Sequence, residues 1–274
     1  MEGKNYCYKY PHPAVTTDCV VFGIDGRKLM ILLVERGNEP YKGYWAFPGG
    51  FLNMDENATQ GALRELAEET GLRLEHIKEF GTFTDVNRDP RERVISIAFY
   101  ALVNKVGVKG GDDAAKAQWF ALDEVPPLAF DHDMMLKKSI QKLKEDLMKR
   151  ITPNFIHSLN KNEIFVFGSN LEGMHGGGAA RIALEKFGAI MGKGVGLQGQ
   201  SYGIPTMQGG VDTIKPYVDE FIAFAKQHPE MTFLVTKIGC GIAGFKIDEI
   251  APLFADAANV ENIHLPQEFW DELI

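Results

Sequence analysis

The chain has 274 residues, of which 45% are hydrophobic and 24% charged, and its net charge at pH 7 is −8. This composition is that of a globular protein with one large domain or two ordinary ones, and its apolar stretches are far shorter than a bilayer span. Because these stretches are short we expect no membrane partner, and because neither half is basic we expect no nucleic-acid partner.

The N-terminal residues MEGKNYCYKYPHP have no continuous apolar core of the kind that forms a signal peptide. The three cysteines, Cys7, Cys19 and Cys240, show no CxxC spacing, which argues against a disulfide framework and against a zinc site. Together these features predict a cytoplasmic protein.

Strand-like and helix-like segments alternate in the first half of the chain. The pattern predicts strands at 14–24, 28–36 and 94–103 and helices at 59–71 and 131–150. The charge-rich end of the last helix and the ITPN that follows it are typical of a boundary. We therefore predict a first domain of residues 1–150 and a second of residues 151–274.

The second half repeats the alternation with two glycine-rich loops. The pattern predicts strands at 163–170, 201–206 and 232–239 and helices at 179–188, 214–228 and 248–258. Strands and helices that alternate with short loops indicate an α/β fold with a largely parallel sheet.

The first-half helix at 59–71 carries three carboxylates on one face. Glu65 lies three residues before Glu68 and four before Glu69, so the three side chains are neighbours on a helix. Such crowding of like charges destabilises a helix unless a cation neutralises it, and Mg²⁺ favours carboxylate and phosphate oxygens. A solvated acidic face is the alternative interpretation.

The surrounding residues match a known pattern. Gly50 is followed after five residues by Glu56, and after seven more by Arg64 and the sequence ELAEETGL. This resembles a complete Nudix box, and the similarity extends over about residues 14–148. The resemblance implies a Nudix α/β/α sandwich that hydrolyses a nucleoside diphosphate linked to another group.

The resemblance also implies a role for each box residue. Glu65, Glu68 and Glu69 would ligate Mg²⁺ or Mn²⁺, with one of them helping to activate water, and Glu56 would be an auxiliary ligand. Arg64 would hold the glutamates in place, because a guanidinium fork suits carboxylates.

Two segments bear on the substrate. Residues 83–103 and the LAFDH sequence resemble the ADP-ribose pyrophosphatase branch and the related Nudix-like transcriptional regulators. The resemblance suggests that Arg88, Arg91 and Arg93 contact phosphates or the distal ribose, and an ordinary solvated loop is the alternative. Those regulators usually carry a decayed box, so the intact box favours an enzyme.

The glycine-rich loops of the second half, GSNLEGMHGGG and IGCGIAGF, each follow a predicted strand. Backbone N–H groups at such positions suit a phosphate, although tight turns also use glycine. Residues 162–260 resemble a macro domain, an ADP-ribose-binding α/β/α fold. The resemblance implies a distal-ribose contact at Asn170, Gly176, Gly177 and Gly178, and a diphosphate contact at Gly239, Cys240, Gly241, Ile242 and Gly244, with Phe245 lining the site.

One position departs from the glycohydrolase branch that the IGCG sequence resembles. That branch has an Asp where this chain has Ala243, so we predict binding rather than hydrolysis. Cys240 is expected to be a small buried residue and not a nucleophile, since it has no nearby His partner in the sequence. His175, isolated in a loop, is expected to be solvated.

These observations predict a two-domain enzyme of ADP-ribose metabolism. The first domain would split ADP-ribose into AMP and ribose 5-phosphate, and the second would bind ADP-ribose or an ADP-ribosylated species. The alternatives are a Nudix hydrolase for another dinucleotide or nucleotide sugar, and a non-catalytic sensor of ADP-ribose or a related NAD metabolite. The resemblance leaves a homodimer open.

Overall fold

The computed structural model describes residues 8–26, 28–108 and 114–274, so Cys7 lies outside the described residues. The chain is a mixed α/β protein that divides into two compact units. The first comprises the described residues up to Gly23 together with Met30–Lys142, and the second comprises Ile24–Leu29 and Leu143–Ile274. The division after Lys142 lies ahead of the boundary that the sequence predicts at residue 151.

The first half of the chain contains a seven-stranded sheet. Its elements are β1 (Ala14–Asp25), β2 (Lys28–Arg36), β3 (Trp45–Ala46), β4 (Gly49–Phe51), α1 (Ala58–Thr70), β5 (Lys78–Phe83), β6 (Val94–Asn104), β7 (Ala114–Ala121) and α2 (His132–Met148). The strand order is β3-β2-β1-β6-β5, with β4 paired to β1 and β7 paired to β2. Strands β3, β4, β5 and β7 are not among the elements predicted from the sequence.

Helix α1 packs on this sheet through its apolar side. Ala62 and Leu66 are fully buried against sheet residues that include Cys19, Leu32 and Trp119. Burial of a leucine side chain of this kind stabilises a fold by about 1.5–3 kcal/mol. The apolar side, which also includes the buried Gly61 and Thr70, therefore fixes the helix on the sheet.

The second half of the chain contains a five-stranded sheet. Its elements are β8 (Glu163–Ser169), α3 (Gly178–Lys186), β9 (Gly196–Gln198), β10 (Ser201–Pro205), α4 (Lys215–Gln227), β11 (Thr232–Val235), α5 (Ile247–Ile250), β12 (Ile263–His264) and α6 (Gln267–Leu273). The order is β12-β11-β8-β10-β9. Strands β8, β10, β11 and β12 run parallel, and β9 is antiparallel to β10.

Two predicted elements are shorter than expected. The strand predicted at 232–239 ends at Val235, and the helix predicted at 248–258 is a four-residue α5 followed by a 3-10 helix at Ala251–Ala257. Pro252 explains the second difference, because its missing N–H prevents continuation of the α-helical hydrogen bonds.

The second unit has helices on both faces of its sheet. Phe165 and Phe167 of β8 pack with helix α3. Val166, which lies between these two phenylalanines, is in register with Tyr202 of β10. The ring centre of Tyr202 lies 5.2 Å from that of Phe221 on helix α4. Because successive residues of a strand point to opposite faces, α3 and α4 cover opposite faces. The unit is a three-layer α/β/α structure.

Arg150 is a structural centre of the second unit. Its guanidinium donates hydrogen bonds to the backbone carbonyls of Ala257, Ala258, Val260 and Ile263 at 2.7–3.2 Å. Its guanidinium carbon lies 5.0 Å from the ring centre of Trp270. One side chain thus satisfies several carbonyls near the end of the 3-10 helix.

Candidate functional site

Helix α1 is capped at both ends, and the caps fix where the helix begins and ends. Asn57 caps the N-terminus by accepting the Gln60 N–H at 3.0 Å, and the Gln60 side chain accepts the Asn57 N–H in return. Gly71 ends the helix with φ = 73°, a left-handed conformation that glycine adopts readily. The glutamate side chains therefore project from a helical backbone that is capped at both ends.

Arg64 connects three carboxylates. Its Nε and Nη2 form a fork on Glu56, at 3.0 and 2.6 Å, and its Nη1 donates to Glu65 at 2.8 Å and to Glu68 at 3.0 Å. The hydrogen bonds from Arg64 lower the pKa of Glu56 to about 2. The guanidinium thus keeps this group of like charges together.

Glu69 lies on the sheet side of the same helix. Its carboxylate accepts the Gly49 N–H of β4 at 3.0 Å. Burial, with the nearby charges of Glu65 and Asp18, raises the pKa of Glu69 to about 8, and burial also raises the pKa of Glu65. A Cβ atom on Gly50 would overlap the Glu65 carboxylate, so the glycine allows this close approach.

The donor set suits a hard cation in its chemistry. Glu65 and Glu69 are acids for which ionisation is unfavourable in the metal-free protein, and a divalent cation with oxygen ligands would remove that cost. Within residues 8–26, 28–108 and 114–274, however, no three His, Cys, Asp or Glu side chains already converge as a metal site. Arg64 instead engages oxygens of Glu56, Glu65 and Glu68.

A buried polar pair next to the helix escaped the sequence analysis. Asp18 is only 7% exposed and accepts a hydrogen bond from Ser96, and its other oxygen lies 3.6 Å from Nε2 of His132. His132 Nδ1 accepts the Phe47 N–H at 3.1 Å, and burial lowers the His132 pKa. His132 belongs to the LAFDH sequence, which was the available signal.

The three arginines of the predicted substrate loop are all engaged by the protein. Arg88 is buried and forms a fork on Asp131 at 3.0 and 2.7 Å. Arg91 forms hydrogen bonds with Asp89, the shortest at 2.7 Å. Arg93 donates to the Asp85 carbonyl at 3.0 Å. The guanidiniums of Arg88 and Arg91 thus already have carboxylate partners.

Arg36, which the sequence analysis did not select, lies near the carboxylates of helix α1. Its Nε donates to the Pro40 carbonyl at 2.8 Å. Burial and the like charge of Arg91 lower the Arg36 pKa, while Asp89, Glu69 and Asp18 act in the opposite direction. No local sequence pattern around Arg36 predicts this position.

The second unit has a crevice where its chain connections diverge. The chain after β8 passes through α3 to β9 and β10 on one side of β8, and the chain after β11 leads to β12 at the other edge. Ligands of parallel α/β sheets bind at such switch points, outside the carboxyl ends of the strands. A crevice of about 180 Å³ lies there.

The crevice brings together part of the predicted set. Its lining includes Asn170, Gly177, Gly178, Gly239, Gly241 and Ile242. Gly176, Cys240, Gly244 and Phe245 are described but do not line it. Burial raises the pKa of the Cys240 thiol to about 11, which disfavours the nucleophilic thiolate.

Two side chains near the crevice differ from expectation. His175, expected to be solvated, is only 1% exposed, because its Nε2 lies 3.1 Å from the Ile190 carbonyl and 3.2 Å from that of Lys193. Lys237 lines the crevice and pairs with Glu268. Lys237 falls within the strand predicted at 232–239 and directly precedes the second glycine-rich loop, which was the available signal for it.

Comparisons with known proteins concern about half of the chain. The NUDIX domain family model matches residues 12–142. An ADP-ribose pyrophosphatase of Methanocaldococcus jannaschii is 43% identical over 128 residues, which cover 47% of this chain and 73% of that protein. The ADPR responsive transcriptional repressor NtrR of Acinetobacter baylyi is 34% identical over 139 residues, covering 49% of this chain and 56% of the repressor.

One solved structure is similar over the same share of the chain. The NUDIX domain of Shewanella oneidensis NrtR, crystallised with ADP ribose, is 32% identical, with 51% of this chain and 94% of that chain covered and a TM-score of 0.48.

In the described part of this chain, no helix is both long and apolar enough to cross a bilayer.

Proposed function

Because this chain belongs to the Nudix family of pyrophosphohydrolases, we propose that its first unit cleaves the diphosphate of ADP-ribose into AMP and ribose 5-phosphate. The proposal rests on the hydrogen bonds that orient the carboxylates in and before α1. Arg64 donates to Glu56, Glu65 and Glu68, and the Gly49 N–H donates to Glu69. The 43% identity to an ADP-ribose pyrophosphatase supports the choice of substrate.

Hydrolysis forms a bond between a water oxygen and one phosphorus atom while the bridging P–O bond breaks, and the leaving phosphate takes the electron pair. Glu69, oriented by the Gly49 N–H, accepts the proton of that water. Arg64 keeps Glu65 and Glu68 oriented throughout, because its fork on Glu56 fixes the guanidinium.

Glu56, Glu65, Glu68 and Glu69 would hold Mg²⁺ or Mn²⁺. The cation supplies positive charge that stabilises the charge spread over the phosphate oxygens. Two features of these residues support the fit: burial raises the pKa values of Glu65 and Glu69, and Gly50 leaves the Glu65 carboxylate uncovered by a side chain at that position.

For the second unit, the proposal is a macro-like domain that binds ADP-ribose or an ADP-ribosylated species. Its support is the crevice at the switch point, where the loops after β8 and β11 present glycine backbone to a ligand. A Cβ atom built on Gly241, one of the glycines of these loops, would meet no atom within 4 Å. Ala243 lines the crevice in place of an acid, so the proposal is binding without hydrolysis.

A sensor is the second candidate function, and the similarity to the repressor NtrR favours it. In that case both units bind ADP-ribose and neither turns it over. A hydrolase for another dinucleotide or nucleotide sugar is the third candidate, and it would use the same carboxylates. A homodimer remains a prediction.

A product screen separates these candidates. Purified full-length protein would be incubated with Mg²⁺ and ADP-ribose, NADH, diadenosine polyphosphates or nucleotide sugars, and products would be resolved by chromatography. The expected result is release of AMP from ADP-ribose with the highest kcat/KM, and loss of that activity on chelation. Binding of ADP-ribose without turnover of any substrate would favour the sensor.

A further inference from the structure

Two aromatic side chains of the first unit, Tyr41 and Phe130, form a corner outside the carboxylate helix. Tyr41 and Phe130 lie with ring centres 4.8 Å apart, and both have left-handed backbones, with φ of 66° and 53°. Non-glycine residues rarely adopt this conformation, and the strain is typical of functional sites. The two rings border a cleft of about 490 Å³, within the usual range of about 300–1,000 Å³ for small-molecule sites.

Two guanidinium groups lie near the Phe130 ring. The guanidinium carbon of Arg36 lies 4.7 Å from the ring centre, and that of Arg91 lies 5.6 Å from it. Arg91 is neutralised by its fork on Asp89. Among the described residues, Arg36 has no carboxylate in ion-pair contact, and its Nε is bonded to the Pro40 carbonyl.

A half-buried guanidinium without an ion-pair partner is unfavourable unless an anion binds it. Arg36 is also close enough to Glu69 for each charge to affect the other's pKa. The position of Arg36, between the aromatic corner and helix α1, therefore suits a phosphate group of the substrate.

The cleft itself suits a different chemical group. Asp85 and Asn87 line it together with the two rings, and both are exposed. The Asp85 carboxylate repels phosphate but accepts hydrogen bonds from an exocyclic amine, while aromatic rings stack on the face of a nucleobase. A nucleobase bearing an amino group matches both features.

We propose that this corner is the nucleotide subsite of the first unit: the base lies in the cleft against Tyr41 and Phe130, and the adjoining diphosphate is bound by Arg36. The subsite rests on the proposed function and extends it, because it assigns the AMP half of the substrate to a named place. It makes Arg36 the residue that orients the diphosphate towards helix α1.

Calorimetric titration with two probes tests this subsite independently of turnover. The full-length protein would carry Gly241→Glu, so that the crevice of the second unit does not contribute, and would be titrated with AMP and with inorganic pyrophosphate in the presence of Mg²⁺. Phe130→Leu should weaken AMP binding at least ~10-fold and leave pyrophosphate binding within about 2-fold. Arg36→Met should weaken binding of both at least ~10-fold.

Two control variants separate loss of the subsite from general effects on the protein. Phe130→Trp keeps an aromatic face and should retain AMP binding, which separates stacking from damage to the fold. Lys137→Gln removes an exposed positive charge on α2 and should change neither affinity.

The results that would overturn the subsite differ from those that would overturn the proposed hydrolysis. Parental affinity for AMP in Phe130→Leu, or for pyrophosphate in Arg36→Met, would overturn the subsite, as would a parent protein that binds neither probe. AMP binding that depends on Phe130 in a protein unable to hydrolyse ADP-ribose would uphold the subsite and reject the proposed hydrolysis.

Discussion

Replacing Glu69 with Gln is expected to slow hydrolysis and, in the absence of metal, to stabilise the fold. The variant retains an oxygen that accepts the Gly49 N–H, at 3.0 Å in the wild type, but it loses the charge and the basic oxygen. Removal of one group that stabilises a transition state costs about 10²–10³ in kcat. We therefore expect kcat with ADP-ribose to fall at least ~100-fold.

The expected gain in stability follows from the raised pKa. The Glu69 pKa in the fold is about 8, against an ordinary value of 4.5, so its ionisation destabilises the fold increasingly as pH rises from 4.5 to 8. One pKa unit corresponds to about 1.4 kcal/mol, and water that enters the site reduces the full effect. The variant should be more stable by about 1–3 kcal/mol above pH 8, and the gain should vanish towards pH 4.5.

The assay combines steady-state kinetics with chemical unfolding of metal-free protein at several pH values. Glu68→Gln is the matched control for stability, because it makes the same change on the same helix at a side chain that is 60% exposed. Its unfolding free energy should change by less than about 0.5 kcal/mol. Near-normal turnover in Glu69→Gln would remove Glu69 from the mechanism, and equal stability at every pH would refute the effect of burial.

Three further substitutions test other positions. Gly50→Ala would overlap the Glu65 carboxylate, so kcat/KM should fall at least ~10-fold in a folded protein, and unchanged kinetics would contradict the close approach. Gly241→Glu places a charge in open space and, in a Glu69→Gln background, should remove one of two ADP-ribose sites seen by calorimetry, with an unchanged number of sites as the contrary result. Ala243→Asp should gain release of ADP-ribose from an ADP-ribosylated protein, whereas release by the wild type would reject the binding-only role.

The sequence was sufficient to predict the α/β class and the carboxylate helix, because both depend on local periodicity. Glu65, Glu68 and Glu69 fall on neighbouring turns of one helix, so their spacing alone predicts that they meet. The same reasoning cannot find Arg36 or Phe130. They lie at the end of β2 and just before α2, and only the packing of the sheet and its loops brings them together.

The second unit shows a related limit. Glycines after two strands predicted where the backbone approaches a ligand, and the crevice lies at those loops. They did not predict which side chains turn inward. His175 is buried against carbonyls of the connection between α3 and β9, and Cys240 does not line the crevice although both its glycine neighbours do.

The contacts of Arg150 have a consequence for how the two halves of the gene can be separated or exchanged. A fragment that starts at residue 151 would lose a charged donor to four backbone carbonyls, and each such hydrogen bond contributes about 1.5–3 kcal/mol. A fragment that starts at Leu143 keeps Arg150 and with it the end of the 3-10 helix. A recombination event that keeps these contacts must therefore have its breakpoint before Arg150, and a breakpoint at the division after Lys142 transfers the last residues of α2 with the second unit.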